Sequence, residues 1–176
     1  MKFILLFTVA LFMATASCLA QTKTNSQLSL GVEYGMPVGS ATDFYGTVLG
    51  ASAKLEFPVA ASKLSITATA GLSTYIIKLD ANVTADNLVY APIEVGAKYY
   101  FSKIAYVEGD LGASANLNSN YGASKIGFIY APIIGVSAPT NKHKSTIDLG
   151  LRYESRLADG AALSQIAVRV AYRFKL

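Results

Sequence analysis

Cysteine, histidine and tryptophan are nearly missing from this 176-residue chain: it holds one cysteine, Cys18, one histidine, His143, and no tryptophan. Cys18 lies within the N-terminal segment that ends at Ala20, so a chain cut after that segment has no disulfide, no thiolate nucleophile and no cysteine metal ligand. With one histidine, in the basic stretch Thr140-Asn141-Lys142-His143-Lys144, neither a His-based triad nor a zinc site is expected. Charge is scarce too. Asp, Glu, Lys and Arg make up 15% of the residues, and the net charge of +4 is too small and too dispersed for a nucleic-acid partner. Beyond the N-terminus no apolar run reaches the roughly 20 residues of a membrane helix. Yet 52% of the residues are hydrophobic and the mean hydropathy is +0.38. Apolar side chains must therefore face the surface.

Residues 1–20 read as a secretory signal peptide: Lys2, the apolar run Phe3 to Ala16, then Ser17-Cys18-Leu19-Ala20, with cleavage after Ala20. The alternative is a lipoprotein box, Thr15-Ala16-Ser17-Cys18, with Cys18 lipidated; Thr15 stands where such boxes usually carry leucine. Residues 21–27 form a short polar lead, and 28–176 one domain.

What fills that domain is period-two alternation. Leu28, Leu30, Val32, Tyr34 and Met36 alternate with Ser29, Gly31, Glu33 and Gly35. The pattern recurs from Tyr45 to Phe57, Leu64 to Leu72, Ala91 to Phe101, Ala105 to Ser114, Ile147 to Glu154 and Ala167 to Leu176, and every charge within these runs falls on one parity. The run Ile126 to Ala138 differs, because Ile129, Ile133 and Ile134 make both faces apolar. It repeats "YAPI" of Tyr90 to Ile93 as Tyr130 to Ile133 in the opposite parity, and a bulge near Pro132 is the expected reconciliation. Short basic connections (Pro58 to Lys63, Ser102-Lys103, Pro139 to Lys144) alternate with longer ones carrying Asp43, Asp80, Asp86 and Asp159 (Pro37 to Phe44, Lys78 to Leu88, Asn116 to Ser124, Ser155 to Ala162). An all-β fold follows: an eight-stranded antiparallel up-and-down transmembrane β-barrel.

Alternation alone also fits a soluble, lipocalin-like barrel with its apolar face inward. Two features favour the membrane. The charged parity is mostly Gly, Ala, Ser and Thr, suited to a cramped interior. Aromatics of the apolar parity sort by depth, Phe57, Tyr99, Phe101, Tyr172 and Phe174 beside the short turns and Tyr34, Tyr45, Phe128 and Tyr153 beside the long loops, as two girdles at lipid headgroup level. The last strand must then pair with the first, since an open edge cannot exist in hydrocarbon.

"GAKYYF" (Gly96 to Phe101), "YVEGDLGAS" (Tyr106 to Ser114), "DLGLRYE" (Asp148 to Glu154) and the terminal "YRFKL" resemble the small outer membrane β-barrel family of Gram-negative bacteria, the OmpA/OmpX-like porin domains. The resemblance runs from about Leu28 to Leu176, through patterns of residue type. It implies an outer-membrane location, contact with outer-membrane lipid and lipopolysaccharide, and insertion by the barrel assembly machinery. The family's C-terminal assembly signal would be carried by Tyr172 and Phe174, with Phe174 third from the end rather than last.

The charged parity places Glu33, Lys54, Glu56, Glu94, Lys98, Glu108, Asp110, Asp148, Arg152, Glu154, Arg169 and Arg173 in the lumen. Eight strands leave an interior just wide enough to be filled by side chains, so these charges are expected to pair into a rigid plug, with a narrow solute channel as the alternative. Enzyme-like family members use histidine with serine or carboxylate near the outer rim. Here Glu108 and Asp110, two residues apart on one face, are the pair spaced for acid–base work, and ion pairing with Lys98, Arg152 or Arg169 is the role expected of them. "DANVTADN" (Asp80 to Asn87) matches no defined calcium loop. Lys78, Lys125 and Arg156 near the outer rim are placed either at lipid phosphates or in solvent. The expectation is a monomeric, non-enzymatic barrel without cofactor, serving envelope integrity or surface interaction.

Overall fold

The computed structural model describes residues 26–59, 62–78, 87–118, 125–140 and 145–176. The expected signal peptide, Cys18, His143 and most of "DANVTADN" lie outside the described residues.

Each alternating run is a strand: β1 (Gln27–Val38), β2 (Tyr45–Pro58), β3 (Leu64–Ile77), β4 (Leu88–Tyr100), β5 (Ala105–Asn116), β6 (Ile126–Pro139), β7 (Thr146–Ala158) and β8 (Ala161–Lys175). Successive strands pair antiparallel, and β1 pairs with β8 from Gln27↔Lys175 to Val38↔Ser164, which closes the barrel. Closure leaves no strand edge. Leu30, Val32, Leu72, Ile93, Leu111, Leu151 and Val170 point outward and are exposed, whereas Thr67, Lys98, Asp110 and Arg152 point inward and are buried. The apolar parity is thus the outside, which removes the inward apolar pocket a lipocalin-like binder requires.

β6 carries no bulge. Its pairing with β5 is continuous from Ala105↔Val136 to Ala115↔Ile126, so Ile129, Ala131 and Ile133 point inward and Phe128, Tyr130 and Ile134 outward. Pro132 has no N–H to donate, and the β6–β7 ladder opens between Tyr130↔Ser155 and Ile133↔Arg152 without a change of register. Pro92 does the same to the β3–β4 ladder between Ala70↔Ile93 and Ser73↔Tyr90. The two YAPI segments therefore present opposite faces: Tyr90 is buried in the lumen, and Tyr130 lies on the outer face beside Tyr153, ring centroids 6.2 Å apart.

Two connections differ from expectation. The register shift between Tyr45 and Thr47 turns Tyr45 inward, where it packs edge-on against buried Tyr75 at 5.7 Å; it does not join the outer girdle. The expected long loop from Ser155 to Ala162 is strand almost throughout, because pairing continues to Ala158↔Ala161. Only Asp159 (φ 51°) and Gly160 (φ 76°) turn the chain, and positive φ at both central residues is the hairpin geometry that Asp-Gly favours.

Candidate functional site

The inward parity of all eight strands builds one polar interior. At the short-turn end, Lys98 Nζ donates to Glu56 Oε2 and to Asp148 Oδ2, each at 3.2 Å, and sits 3.7 Å from the centre of the Tyr106 ring. Arg173 Nη2 pairs with Asp148 and donates to Ser137 Oγ at 2.9 Å, while its Nη1 donates to Tyr100 Oη at 2.8 Å. The Tyr106 hydroxyl donates to Asp148 Oδ1 at 2.6 Å and that of Tyr100 to Glu56 Oε1 at 3.0 Å. Room for Tyr106 comes from Gly135 on the next strand, where a Cβ would overlap the phenol.

Midway along the axis, Lys54 Nζ donates to Glu108 Oε1 at 2.5 Å and to Asp110 Oδ2 at 3.3 Å, and Thr67 Oγ1 donates to Asp110 Oδ1 at 3.2 Å. Nearby, Arg152 Nη2 reaches Glu94 Oε1 at 2.6 Å and Glu154 Oε2 at 2.7 Å, and Gln165 Nε2 donates to Glu154 Oε1 at 3.1 Å. Arg169 Nε donates to Ser52 Oγ at 2.9 Å, Ser52 Oγ donates to Glu33 Oε1 at 2.7 Å, and the Arg169–Glu33 pair itself spans 3.5 Å.

Toward the long-loop end the interior turns aromatic. Val48, Tyr75 and Tyr90 form a buried cluster against Tyr45, Leu88 and Leu163. Arg156 is buried here with its guanidinium 4.3 Å from the Tyr90 ring centre, so it stands inside the wall and not at the outer surface. Lys78 Nζ donates to Thr42 O at 2.6 Å. Lys125 is exposed.

All twelve charged residues predicted for the lumen lie on this inner parity, with Glu33 only partly buried. Glu108 and Asp110 share Lys54 as partner, rather than the Lys98, Arg152 or Arg169 expected for them. Tyr75, Tyr90, Tyr100, Tyr106 and the hydroxyls of Ser52, Thr67 and Ser137 join the same interior and were not singled out in the sequence for it, and Arg156, expected near the outer rim, joins them. The signal was present for most of them: they share the parity of the charges, and a tyrosine on that parity must find a polar partner for its hydroxyl. Of the predicted girdles, Tyr34, Tyr99, Phe101, Phe128, Tyr172 and Phe174 expose their rings outward, and Phe57 and Tyr153 are half-buried. Among the described residues no group of three or more His, Cys, Asp or Glu is placed to hold a metal.

Neither a family model nor a curated protein matches the sequence. Solved structures do. Neisserial surface protein A superposes with a TM-score of 0.61 at 10% identity, over 86% of this chain and 97% of its own. The attachment invasion locus protein Ail of Yersinia pestis gives 0.58 at 15%, over 87% and 100%. The outer membrane enzyme PagL gives 0.52 at 10%, over 84% and 99%. The chain thus has the fold of small outer-membrane barrels. Since one neighbour is an enzyme, that fold leaves catalysis to be argued from side chains.

Proposed function

We propose that this chain is a non-enzymatic integral protein of the outer membrane of a Gram-negative bacterium, a monomeric barrel whose lumen is filled by its own side chains and which serves envelope integrity or a surface interaction. The observation that carries this reading is the set of ion pairs spanning the lumen: Lys54 to Glu108, Lys98 to Asp148 and Arg152 to Glu94 each join strands that are not neighbours in the sheet. Side chains that meet across the axis at 2.5 to 3.2 Å occupy the space through which a solute would pass. The aromatic cluster of Tyr75 and Tyr90 obstructs the long-loop end in the same way.

The non-enzymatic part rests on the carboxylates. Glu108 and Asp110 are buried below the lumen's ends and engaged by one lysine, where no substrate at the rim reaches them. Outward, the exposed apolar band fits outer-membrane lipid, with lipopolysaccharide at the long-loop end, and the aromatic Tyr172 and Phe174 of β8 fit a strand read by the barrel assembly machinery. Membrane fractionation, with a gel of boiled and unboiled samples, tests location and barrel: the protein should stay with the outer membrane and migrate faster unboiled. A planar bilayer recording tests the plug. Absence of discrete conductance steps is expected, and steps that persist at low voltage would replace the plug with the narrow channel.

A further inference from the structure

The charges outside the lumen are not evenly spread between the two ends. At the short-turn end, Lys63 lies in the β2–β3 turn, Lys103 in the β4–β5 turn and Lys175 at the end of β8, beside the start of β1. These are three of the four corners of the barrel rim, and all three side chains are exposed and make no ion pair among the described residues. The sequence of the fourth corner, residues 140–145, reads Thr-Asn-Lys-His-Lys-Ser. Among the described residues of these connections no acidic side chain is exposed; Glu56 and Asp148, the nearest acids, point inward and are held by Lys98 and Arg173. The opposite rim is mixed, with exposed Asp43 and Asp159 as well as Lys78 and Lys125.

The lysines also sit at a particular depth. Lys63 accepts, through its backbone carbonyl, the N–H of Tyr100 at 2.9 Å, which puts it level with the exposed ring of Tyr99. Lys103 is two residues from exposed Phe101, and Lys175, on the parity of Arg173 but exposed at the mouth of the barrel, adjoins Phe174. Aromatic rings mark the boundary between hydrocarbon and headgroups, and a lysine stem extends several ångströms beyond its ring neighbour. The ammonium groups therefore reach the layer where lipid phosphates lie.

We propose that this rim is a binding surface for anionic phospholipid headgroups of the leaflet that surrounds the short-turn end. The inference rests on the membrane reading above. Anionic lipid is the occupant because the rim is continuous with the lipid-facing band and repeats around the barrel, as a lipid annulus does, and because a rim whose exposed charged side chains are lysines gains more from headgroups of net negative charge than from zwitterionic ones.

The test is lipid selectivity in bilayers of phosphatidylcholine, with spin-labelled phosphatidylglycerol and spin-labelled phosphatidylcholine as probes of the motionally restricted shell. The protein should favour phosphatidylglycerol about fivefold at low salt, the factor that corresponds to one lysine at an anionic surface. High salt should lower the preference. The triple variant Lys63→Gln, Lys103→Gln, Lys175→Gln should bring it near one, and Lys125→Gln on the other rim should leave it in place. No preference in the parent protein, or an undiminished one in the triple variant, overturns the proposal. The heat-shift gel separates the two levels: a heat-shifted barrel without selectivity overturns the lipid surface alone, and a chain that neither shifts nor inserts overturns the membrane reading with it.

Discussion

Arg152 on β7 and Glu94 on β4 meet Nη2 to Oε1 at 2.6 Å, although β5 and β6 stand between their strands in the sheet. The bond is a chord across the barrel. Arg152 also holds Glu154 at 2.7 Å, so one guanidinium balances two buried carboxylates.

Removing that guanidinium strands both carboxylates in a closed interior. Arg152→Ala should destabilise the barrel by about 3–5 kcal/mol, the range for breaking a buried pair from one side. The check is the urea midpoint of the refolded protein in detergent, and a midpoint equal to the parent's would show that the chord carries no weight.

Two glycines three residues apart on β5 should respond oppositely to the same methyl group. A Cβ at Gly112 points inward and overlaps the Ile93 carbonyl and the Glu94 backbone of the neighbouring strand, neither of which can rotate away. Gly109 points outward, with nothing within 4 Å of its Cβ position and no positive φ. Gly112→Ala should cost about 1–3 kcal/mol or more and deplete the heat-shifted band. Gly109→Ala should match the parent or gain up to about 1 kcal/mol.

Val32 stands near the middle of β1 with its side chain 65% exposed on the outer face, opposite Val170 of β8. Val32→Lys puts a charge into hydrocarbon and should destabilise the protein by about 2–4 kcal/mol in lipid vesicles. Equal stability of parent and variant in vesicles would argue against a lipid-facing β1.

At the β7–β8 turn, Gly160 holds a φ of 76°, where an L side chain meets its own backbone. Gly160→Ala should cost about 1–2 kcal/mol. Thermal or urea unfolding checks it, and an unchanged midpoint would mean that the turn relaxes to another geometry.

Much of this was legible along the chain because side-chain direction in a strand is a local property. Neighbouring residues point to opposite faces whatever the strand pairs with, so Lys54, Glu94, Asp110 and Arg169 could be placed on one side of the wall from spacing alone. The apolar majority on the other side, with few charges overall, then required an exposed apolar exterior. Antiparallel neighbours and closure of β8 on β1 followed from short connections and from the cost of an unpaired edge.

What tertiary structure decided was everything that depends on two strands meeting, or on one residue out of step. Lys54 chose Glu108 and Asp110 because the stagger of a closed barrel sets which side chains share a level, and stagger is a property of the whole ring. Tyr45 turned inward because one extra residue beside it reversed its parity, a shift that periodicity at a strand end cannot reveal. Pro132 opened its ladder without a bulge because the lost donor could be spared on one side while β5 held the register on the other. The sequence alone determined which faces exist and what they are made of; the closed ring determined which residues face one another, because distance across a lumen is set by strands that are remote along the chain.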